Sequence, residues 1–265
     1  MKPGKRWARL SIALRYGIIL LAILIIWQAY VTLGHVTPLL FASPGAVASA
    51  IVTGLADGKL IDATRNTLVS LIFGMVLGTA VGFALASFAA FSRFGEDLLA
   101  VLTALLNPLP SIAILPLAMI WFGLNQRSIV FVVALATIWP VAINTDTGFR
   151  TISATTQLAA RNLGLRGWPL VYGVLLPAAL PSIVSGLKAA WAFGWRPVVA
   201  AELVFGVAGS AAGLGWYINN ARYFLQTADI FAGLVVISAL GIAVEGLFRL
   251  LERRTVARWG MKRGA

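Results

Sequence analysis

One guanidinium group, that of Arg196, stands within a long apolar stretch that is predicted to be a membrane span at residues 180–204. A charge at the centre of a span costs about 2.5–3.5 kcal/mol, so Arg196 must face protein or water. Two interpretations remain open: contact with an anionic group on a path through the membrane, beside Trp191 and Trp195, or an ion pair with an acid on another span. A misplaced span boundary is a third.

Two further polar residues are candidates for the same path. Glu202 lies six residues after Arg196 and therefore about 120° away around a helix, so an ion pair within that helix is not expected. We predict instead that Glu202 lies near the outer gate of the path. Asn144 follows the predicted span at residues 128–143, where it is either a helix-terminal hydrogen-bonding group or a ligand.

The remaining side chains exclude several kinds of site. The chain has one histidine, His35, and no cysteine, so neither a thiol nucleophile nor a cysteine or histidine-rich metal site is available. The glycine-rich segment "GVAGSAAGLG" lacks the lysine of a phosphate-binding loop and is interpreted as a flexible outer loop. We therefore predict no catalytic residue, no metal site and no cofactor bound by this chain.

The composition predicts an all-α polytopic membrane protein. Hydrophobic residues make up 60% of the 265 residues and charged residues only 11%, and runs of about 20 apolar residues can cross a bilayer. About six transmembrane helices are expected, at residues 16–33, 66–90, 98–121, 128–143, 180–204 and 229–250.

The basic residues orient these spans and argue against nucleic acid as a partner. The net charge is +12, but fifteen basic residues fall on the side of the two termini and four on the opposite side. An excess of lysine and arginine marks the cytoplasmic side. Both termini of this multi-pass membrane protein are therefore predicted to be cytoplasmic.

Small residues and prolines indicate how the spans pack. Gly74, Gly78 and Gly82 recur every four residues, which predicts close packing against another helix. Prolines interrupt the third predicted span, either because it borders a translocation path or because it is merely bent. Its prolines are Pro108, Pro110 and Pro116.

Other signals fall between the spans. Ser43 followed by Pro44 predicts the start of a short helix at the outer interface. A short polar turn, "SRFGED", is expected before the third span.

A short basic helix is predicted between the fourth and fifth spans. Thr155 or Thr156 can cap it and Gly164 can end it, so it is too short to cross a membrane. Such a helix suits either a groove on another protein or the surface of anionic lipid. The side chains that it is expected to expose are those of Leu158, Leu163, Leu165, Arg161 and Arg166.

This segment resembles the signature loop of importer-type ABC transporter permeases. That loop reads Glu-Ala-Ala, three residues, Gly, nine residues, Ile, one residue, Leu-Pro. The matching residues are Ala159, Ala160, Gly164, Leu176 and Pro177, with Val174 as a conservative substitute. Leu158 stands where the family usually has glutamate. The resemblance covers about residues 65–250, most specifically 137–218, and is closest to permeases for nitrate, alkanesulfonates and taurine.

The resemblance implies a MetI-like permease fold and a division of labour between chains. Residues 1–64 would hold the cytoplasmic tail, the first span and the outer segment; residues 65–250 the permease core; and residues 251–265 a basic tail. A coupling helix at about 155–167 would seat in an ATP-binding subunit, which alone would bind ATP and Mg²⁺ and hydrolyse ATP. Its contact residues would be Leu158, Ala159, Ala160, Arg161, Gly164, Leu165 and Arg166.

The resemblance also implies the remaining partners and the transport mode. These are a second permease chain, expected as an identical copy, a periplasmic or lipid-anchored solute-binding protein, and the bilayer of the bacterial inner (plasma) membrane. The implied function is ATP-driven import of a small anion by alternating access. The alternative is an ion-gradient-driven secondary transporter, which would favour inverted repeats; an integral membrane enzyme ranks third.

Overall fold

Helices make up almost all of the structure, a computed structural model that describes residues 12–205 and 212–255. The predictions for the basic residues before residue 12, for most of the glycine-rich loop and for residues 256–265 of the basic tail lie outside the described residues. The helices are α1 Ile12–Leu33, α2 Pro44–Ala56, α3 Lys59–Phe91, α4 Arg93–Leu106, α5 Leu115–Phe122, α6 Gln126–Arg150, α7 Ala154–Asn162, α8 Trp168–Ala178, α9 Leu180–Phe205, α10 Leu214–Tyr223 and α11 Thr227–Thr255.

The described part of the chain contains up to six candidate membrane spans, in agreement with the sequence. The helices α1, α3, α6 and α11 are each long and apolar enough to cross a bilayer. Two bent pairs supply the others: α4 meets the Ser111–Phe122 segment at 84°, and α8 meets α9 at 79°. Pro108 and Pro110 lie in the first bend, where they provide no backbone N–H group to continue a helix.

Several helix boundaries differ from the predicted ones. The second span begins at Lys59 rather than near residue 66, because the polar residues that lower the mean hydropathy here lie in helical turns beside the buried Leu60 and Ala63. The fourth span continues to Arg150 rather than ending near 143. The predicted polar turn "SRFGED" is wrong: Ser92 caps α4 by accepting a hydrogen bond from the Gly95 amide at 3.2 Å, so the helix begins there.

The centre of the bundle consists of α3, α6 and α9, which approach closely where their residues are small. Gly74, Gly78 and Gly82 all lie against α6, and a methyl group on Gly82 would stand 2.6 Å from the Ile138 carbonyl oxygen. On α9, a methyl group on Gly186 would stand 2.9 Å from Cβ of Asn144. These contacts leave no room for larger side chains, so glycine sets the spacing of the three helices.

Two apolar clusters occupy opposite ends of this bundle. The cluster at the end that carries α7 consists of Ala86, Phe149, Ala160, Leu170, Val171, Leu175, Ala179 and Ile183. The cluster toward the other end consists of Leu71, Leu115, Ala118, Ile129, Val132, Val133, Val198 and Ala201. The first cluster includes a residue of α7, so the short helix is packed onto the bundle rather than suspended from a loop.

Candidate functional site

The helix α7 is defined by signals at both of its ends. Ser153 Oγ accepts a hydrogen bond from the Thr156 amide at 3.2 Å, so Ser153 is the N-cap. The prediction that Thr155 or Thr156 caps this helix was therefore wrong: Thr156 lies in the first turn, where its amide needs an acceptor. The helix has nine residues and a length of about 14 Å.

The end of α7 is a Schellman motif. Gly164 has φ +84°, its amide donates to Arg161 O at 3.0 Å, and the Leu165 amide donates to Ala160 O at 3.1 Å. Gly167 also has a positive φ, of +58°. The helix therefore ends at Asn162, and the predicted extension to residue 167 is not helical, because two left-handed residues redirect the chain.

One face of α7 is buried and the other is free. Ala160 is 5% exposed in the apolar cluster, whereas Leu158 is 59% and Leu163 82% exposed. Leu165, which was expected to be exposed, packs partly buried against that cluster. Ala159, Arg161, Gly164 and Arg166 are exposed. The free face therefore combines apolar and basic groups that the described residues of this chain leave uncovered.

Polar contacts at the base of α7 were not found from the sequence. Gln157 Nε2 donates to Ile152 O at 3.3 Å, and Arg150 forms ion pairs with both Asp146 at 2.8 Å and Glu96 at 3.0 Å. The i, i+4 spacing of Asp146 and Arg150 was visible in the sequence, but Glu96 is distant and lies on α4. Gln157 thus joins the start of α7 to the chain at the end of α6, and Arg150 joins that end of α6 to α4.

Arg196 lines a cavity of about 430 Å³ at the break between α4 and α5. The walls of this cavity, called the Arg196 cavity below, are Leu106, Asn107, Pro108, Leu109, Pro110, Ser111, Ile112, Ile114, Leu135, Ala136, Trp139, Pro140, Phe193, Arg196, Pro197 and Ala200. Arg196 is the only charged residue among these described residues, and its side chain is exposed. No ion pair joins it to another side chain that the structure describes.

The two tryptophans predicted beside Arg196 are not in its cavity. Trp191 and Trp195 stack on one another with ring centroids 5.4 Å apart and an interplanar angle of 21°, and they pack against the apolar cluster around Leu71. The helical rotation of 100° per residue turns them about 140° and 100° away from Arg196. The structure therefore separates these aromatic rings from the charge.

The other two candidates for the path also lie elsewhere. Asn144 donates from Nδ2 to Pro140 O at 2.7 Å and lies within α6, six residues before its end, so the prediction of a helix-terminal group was wrong. Glu202 is 3% exposed and accepts hydrogen bonds from Thr67 and from the Gly215 amide. Neither residue lines the Arg196 cavity.

The described residues contain no group of three or more histidine, cysteine, aspartate or glutamate side chains placed to hold a metal ion. What they provide is a free helix face at one end of the bundle and a cavity with one positive charge beside a broken helix.

Comparisons with known proteins agree with this arrangement. A family model described as "Binding-protein-dependent transport system inner membrane component" matches residues 78–257. The putative aliphatic sulfonates transport permease protein SsuC of Bacillus subtilis (strain 168) is 31% identical over 262 residues, which cover 97% of this chain and 91% of that protein.

Two further relatives are described as permeases for substrates that differ widely from each other. The taurine transport system permease protein TauC of Escherichia coli (strain K12) is 31% identical, over 89% of this chain and 86% of that protein. The riboflavin transport system permease protein RibX of Chloroflexus aurantiacus is 33% identical, over 93% of this chain and 90% of that protein.

A solved structure shows the same fold. The crystal structure of an amino acid ABC transporter with histidines aligns with a TM-score of 0.58 at 18% identity, over 77% of this chain and 98% of that chain.

Proposed function

Because the chain belongs to the family of binding-protein-dependent transport system inner membrane components, we propose that it forms the translocation path of an ATP-driven importer for a small anion. The family favours this function over an ion-gradient-driven secondary transporter. The observation that supports an anionic substrate is the Arg196 cavity, whose described walls contain one positive charge and no acid.

The chemistry of the Arg196 cavity suits a carboxylate, sulfonate or nitrate group. A guanidinium presents a planar set of N–H donors that can pair with two oxygens of an anion at once. The remaining walls are mostly apolar and contain no acid that would compete with the anion for Arg196. Relatives described for sulfonates and taurine fit this class. The riboflavin permease is about as similar to this chain as those relatives are. We therefore infer an anionic substrate from Arg196 and not from sequence identity to any relative.

ATP would act on this chain from outside. We place ATP and Mg²⁺ on a separate ATP-binding subunit, whose cleft would cover the exposed face of α7. Because Ala160 is buried in the bundle and Arg150, at the end of α6 just before α7, pairs with Glu96 of α4, a displacement of α7 would be transmitted to several spans together. Closure of the ATP-binding subunits would then tilt these spans and alternate the access to the path.

Three further partners complete the proposed assembly. A second copy of the chain would close the path, a periplasmic or lipid-anchored solute-binding protein would deliver the substrate, and the inner-membrane bilayer would cover the apolar faces. We propose that both termini and α7 are cytoplasmic, because the side of the termini carries the larger share of the lysine and arginine residues.

The proposal is tested by isolating the assembly. An affinity-tagged chain is expressed in its native host and purified in mild detergent, and the co-purified proteins are identified. We expect an ATP-binding subunit in the complex. After reconstitution with the solute-binding protein, ATP turnover is measured with nitrate, taurine, an alkanesulfonate and riboflavin; stimulation by an anion but not by riboflavin is expected. A chain that purifies without an ATP-binding subunit, or that transports on an ion gradient alone, would contradict the proposal.

A further inference from the structure

The N-terminus of α10 is capped by two side chains that belong to other helices. The residue at its own N-cap position, Gly213, has no side chain to accept a hydrogen bond. The Leu214 amide instead donates to Thr67 Oγ1 at 2.8 Å, and the Gly215 amide donates to Glu202 Oε2 at 3.0 Å. Thr67 belongs to α3 and Glu202 to α9. Two of the amides that every helix start leaves unpaired are thus satisfied by the two helices beneath.

Thr67 and Glu202 form one buried unit. The Thr67 hydroxyl lies 2.8 Å from Oε2 and 2.9 Å from Oε1 of Glu202, to which it donates, while its own oxygen accepts from Leu214. Thr67 is fully buried and Glu202 almost so. A buried carboxylate is costly unless hydrogen bonds compensate it, and the positive end of a helix dipole adds to that compensation. Removing either partner would leave buried polar groups without bonds.

The packing around this cap is equally close. A methyl group on Gly215 would lie 2.5 Å from Val199 O and 2.6 Å from Cβ of Glu202, and one on Gly213 would collide with the Glu202 carboxyl group. In addition, Asn66 Nδ2 donates to Ala212 O at 3.0 Å. The start of α10 therefore rests directly on the backbone of α9 and on one face of α3.

The other side of α10 lines a second cavity, of about 700 Å³, called the outer cavity below. It lies at the end of the bundle opposite to α7, and its described walls include Asp57, Asp62, Arg65, Trp216, Tyr217, Asn220 and Asp229. The Tyr217 hydroxyl donates to Asp229 at 2.7 Å, and burial together with this bond raises the pKa of Tyr217 above its ordinary range. One wall of the outer cavity is thus a helix whose position depends on its cap.

We propose that Glu202 and Thr67 are positioning residues that fix α10 to α3 and α9, so that the wall of the outer cavity moves with those spans as one body. The role of this connection in transport rests on the proposed function. Arg196 and Glu202 both belong to α9. A tilt of α9 would therefore change the Arg196 cavity and carry α10 with it. The outer surface that a delivery protein contacts would then change together with the conformation of the path.

The absence of native cysteine allows a direct test by spin labelling. Cysteines are introduced at Val76, on an exposed position of α3, and at Arg222, exposed in the last turn of α10. Labelled chain is diluted with unlabelled chain in lipid nanodiscs, so that only distances within one chain contribute. Double electron–electron resonance then measures the distribution of distances between the two labels.

Matched variants separate the cap from general packing. Thr67→Ser keeps the hydroxyl, Thr67→Val keeps the shape without it, and Glu202→Gln keeps the shape without the charge. We expect one narrow distribution for the native chain and for Thr67→Ser. For Thr67→Val and Glu202→Gln we expect a second, broader population, because the loss of a hydrogen bond to a charged group shifts the equilibrium of the docked helix by about 10- to 100-fold.

A failure of this proposal can be distinguished from a failure of the proposed function. Identical distributions in Thr67→Val and Thr67→Ser would overturn the proposal, as would a native chain with an already broad distribution. Adding the ATP-binding subunit and a non-hydrolysable ATP analogue should move α10 together with α3, leaving the native distance narrow; a broadened native distance would also overturn it. Failure of the importer assignment appears separately, as the absence of any complex with an ATP-binding subunit, whereas the comparison of the native chain with its Thr67 and Glu202 variants needs this chain alone.

Discussion

Replacing the two exposed leucines of α7 should weaken the proposed attachment of the ATP-binding subunit. Leu158 is 59% and Leu163 82% exposed, and complete burial of a leucine side chain contributes about 1.5–3 kcal/mol. Scaled by these exposures, the pair can contribute about 2–4 kcal/mol when a partner covers it. The double variant Leu158→Ala, Leu163→Ala should therefore raise the Kd for that subunit by about 30- to 700-fold.

The Kd is measured on nanodisc-embedded chain by biolayer interferometry against the purified ATP-binding subunit. The chain supplies a matched control in Leu39 and Leu40, which are 62% and 77% exposed in the loop before α2. The double variant Leu39→Ala, Leu40→Ala removes the same atoms from nearly the same exposed area and should leave the Kd unchanged.

The same measurement distinguishes a protein cleft from a lipid surface as the environment of α7. If the leucines rest on head groups, their removal changes the depth of α7 in the bilayer and not the binding of the subunit. An unchanged Kd in the α7 variant, or an equal loss in both double variants, would refute the reasoning.

Three further predictions concern the path, the end of α7 and the helix packing. Arg196→Leu should abolish anion-stimulated ATP turnover while the complex still purifies, and Arg196→Lys should retain part of it; normal uptake by the leucine variant would show that Arg196 does not contact substrate. Gly164→Ala should lower the free energy of unfolding by about 1–2 kcal/mol, because Gly164 has a positive φ. Gly173→Ala, at an equally open position without positive φ, should leave the stability unchanged; equal melting temperatures of the two purified variants would contradict this. Gly78→Val should lower the free energy of unfolding by at least about 1–3 kcal/mol, because the new side chain collides with Thr137. The melting temperature of the purified chain should fall; an unchanged melting temperature would contradict the close packing of α3 and α6.

Much of the helix pattern could be predicted because a span is a local property of about 20 residues. The first span ends at Leu33 as expected, Ser43 caps α2 with Pro44 in its first turn, and α9 begins at Leu180. Errors arose where two local signals compete. Ser153, Thr155 and Thr156 can all cap a helix, and only the folded chain shows which oxygen an amide reaches.

The candidate site was predicted less completely, because its residues meet through space. Arg196 was identified by its charge in an apolar run, but its neighbours are Asn107 and the prolines of a broken helix rather than Trp191 and Trp195. The rotation of α9 against its neighbours decides which residues face the cavity, and the sequence of α9 does not contain that angle.

The sequence by itself determined the class of the molecule, its number of spans and the short helix between the fourth and fifth of them. The apolarity of a span and the glycine that ends a helix are properties of a short stretch of chain, so the order of the residues is sufficient to reveal them. Only the tertiary structure decided the partners of the polar groups. Glu202 binds Thr67, 135 residues away, and Lys188 reaches Glu245 at 2.8 Å. The physical reason is that a polar or charged side chain binds whichever partner the packing of the helices brings within about 3 Å, and that packing is a property of the whole bundle.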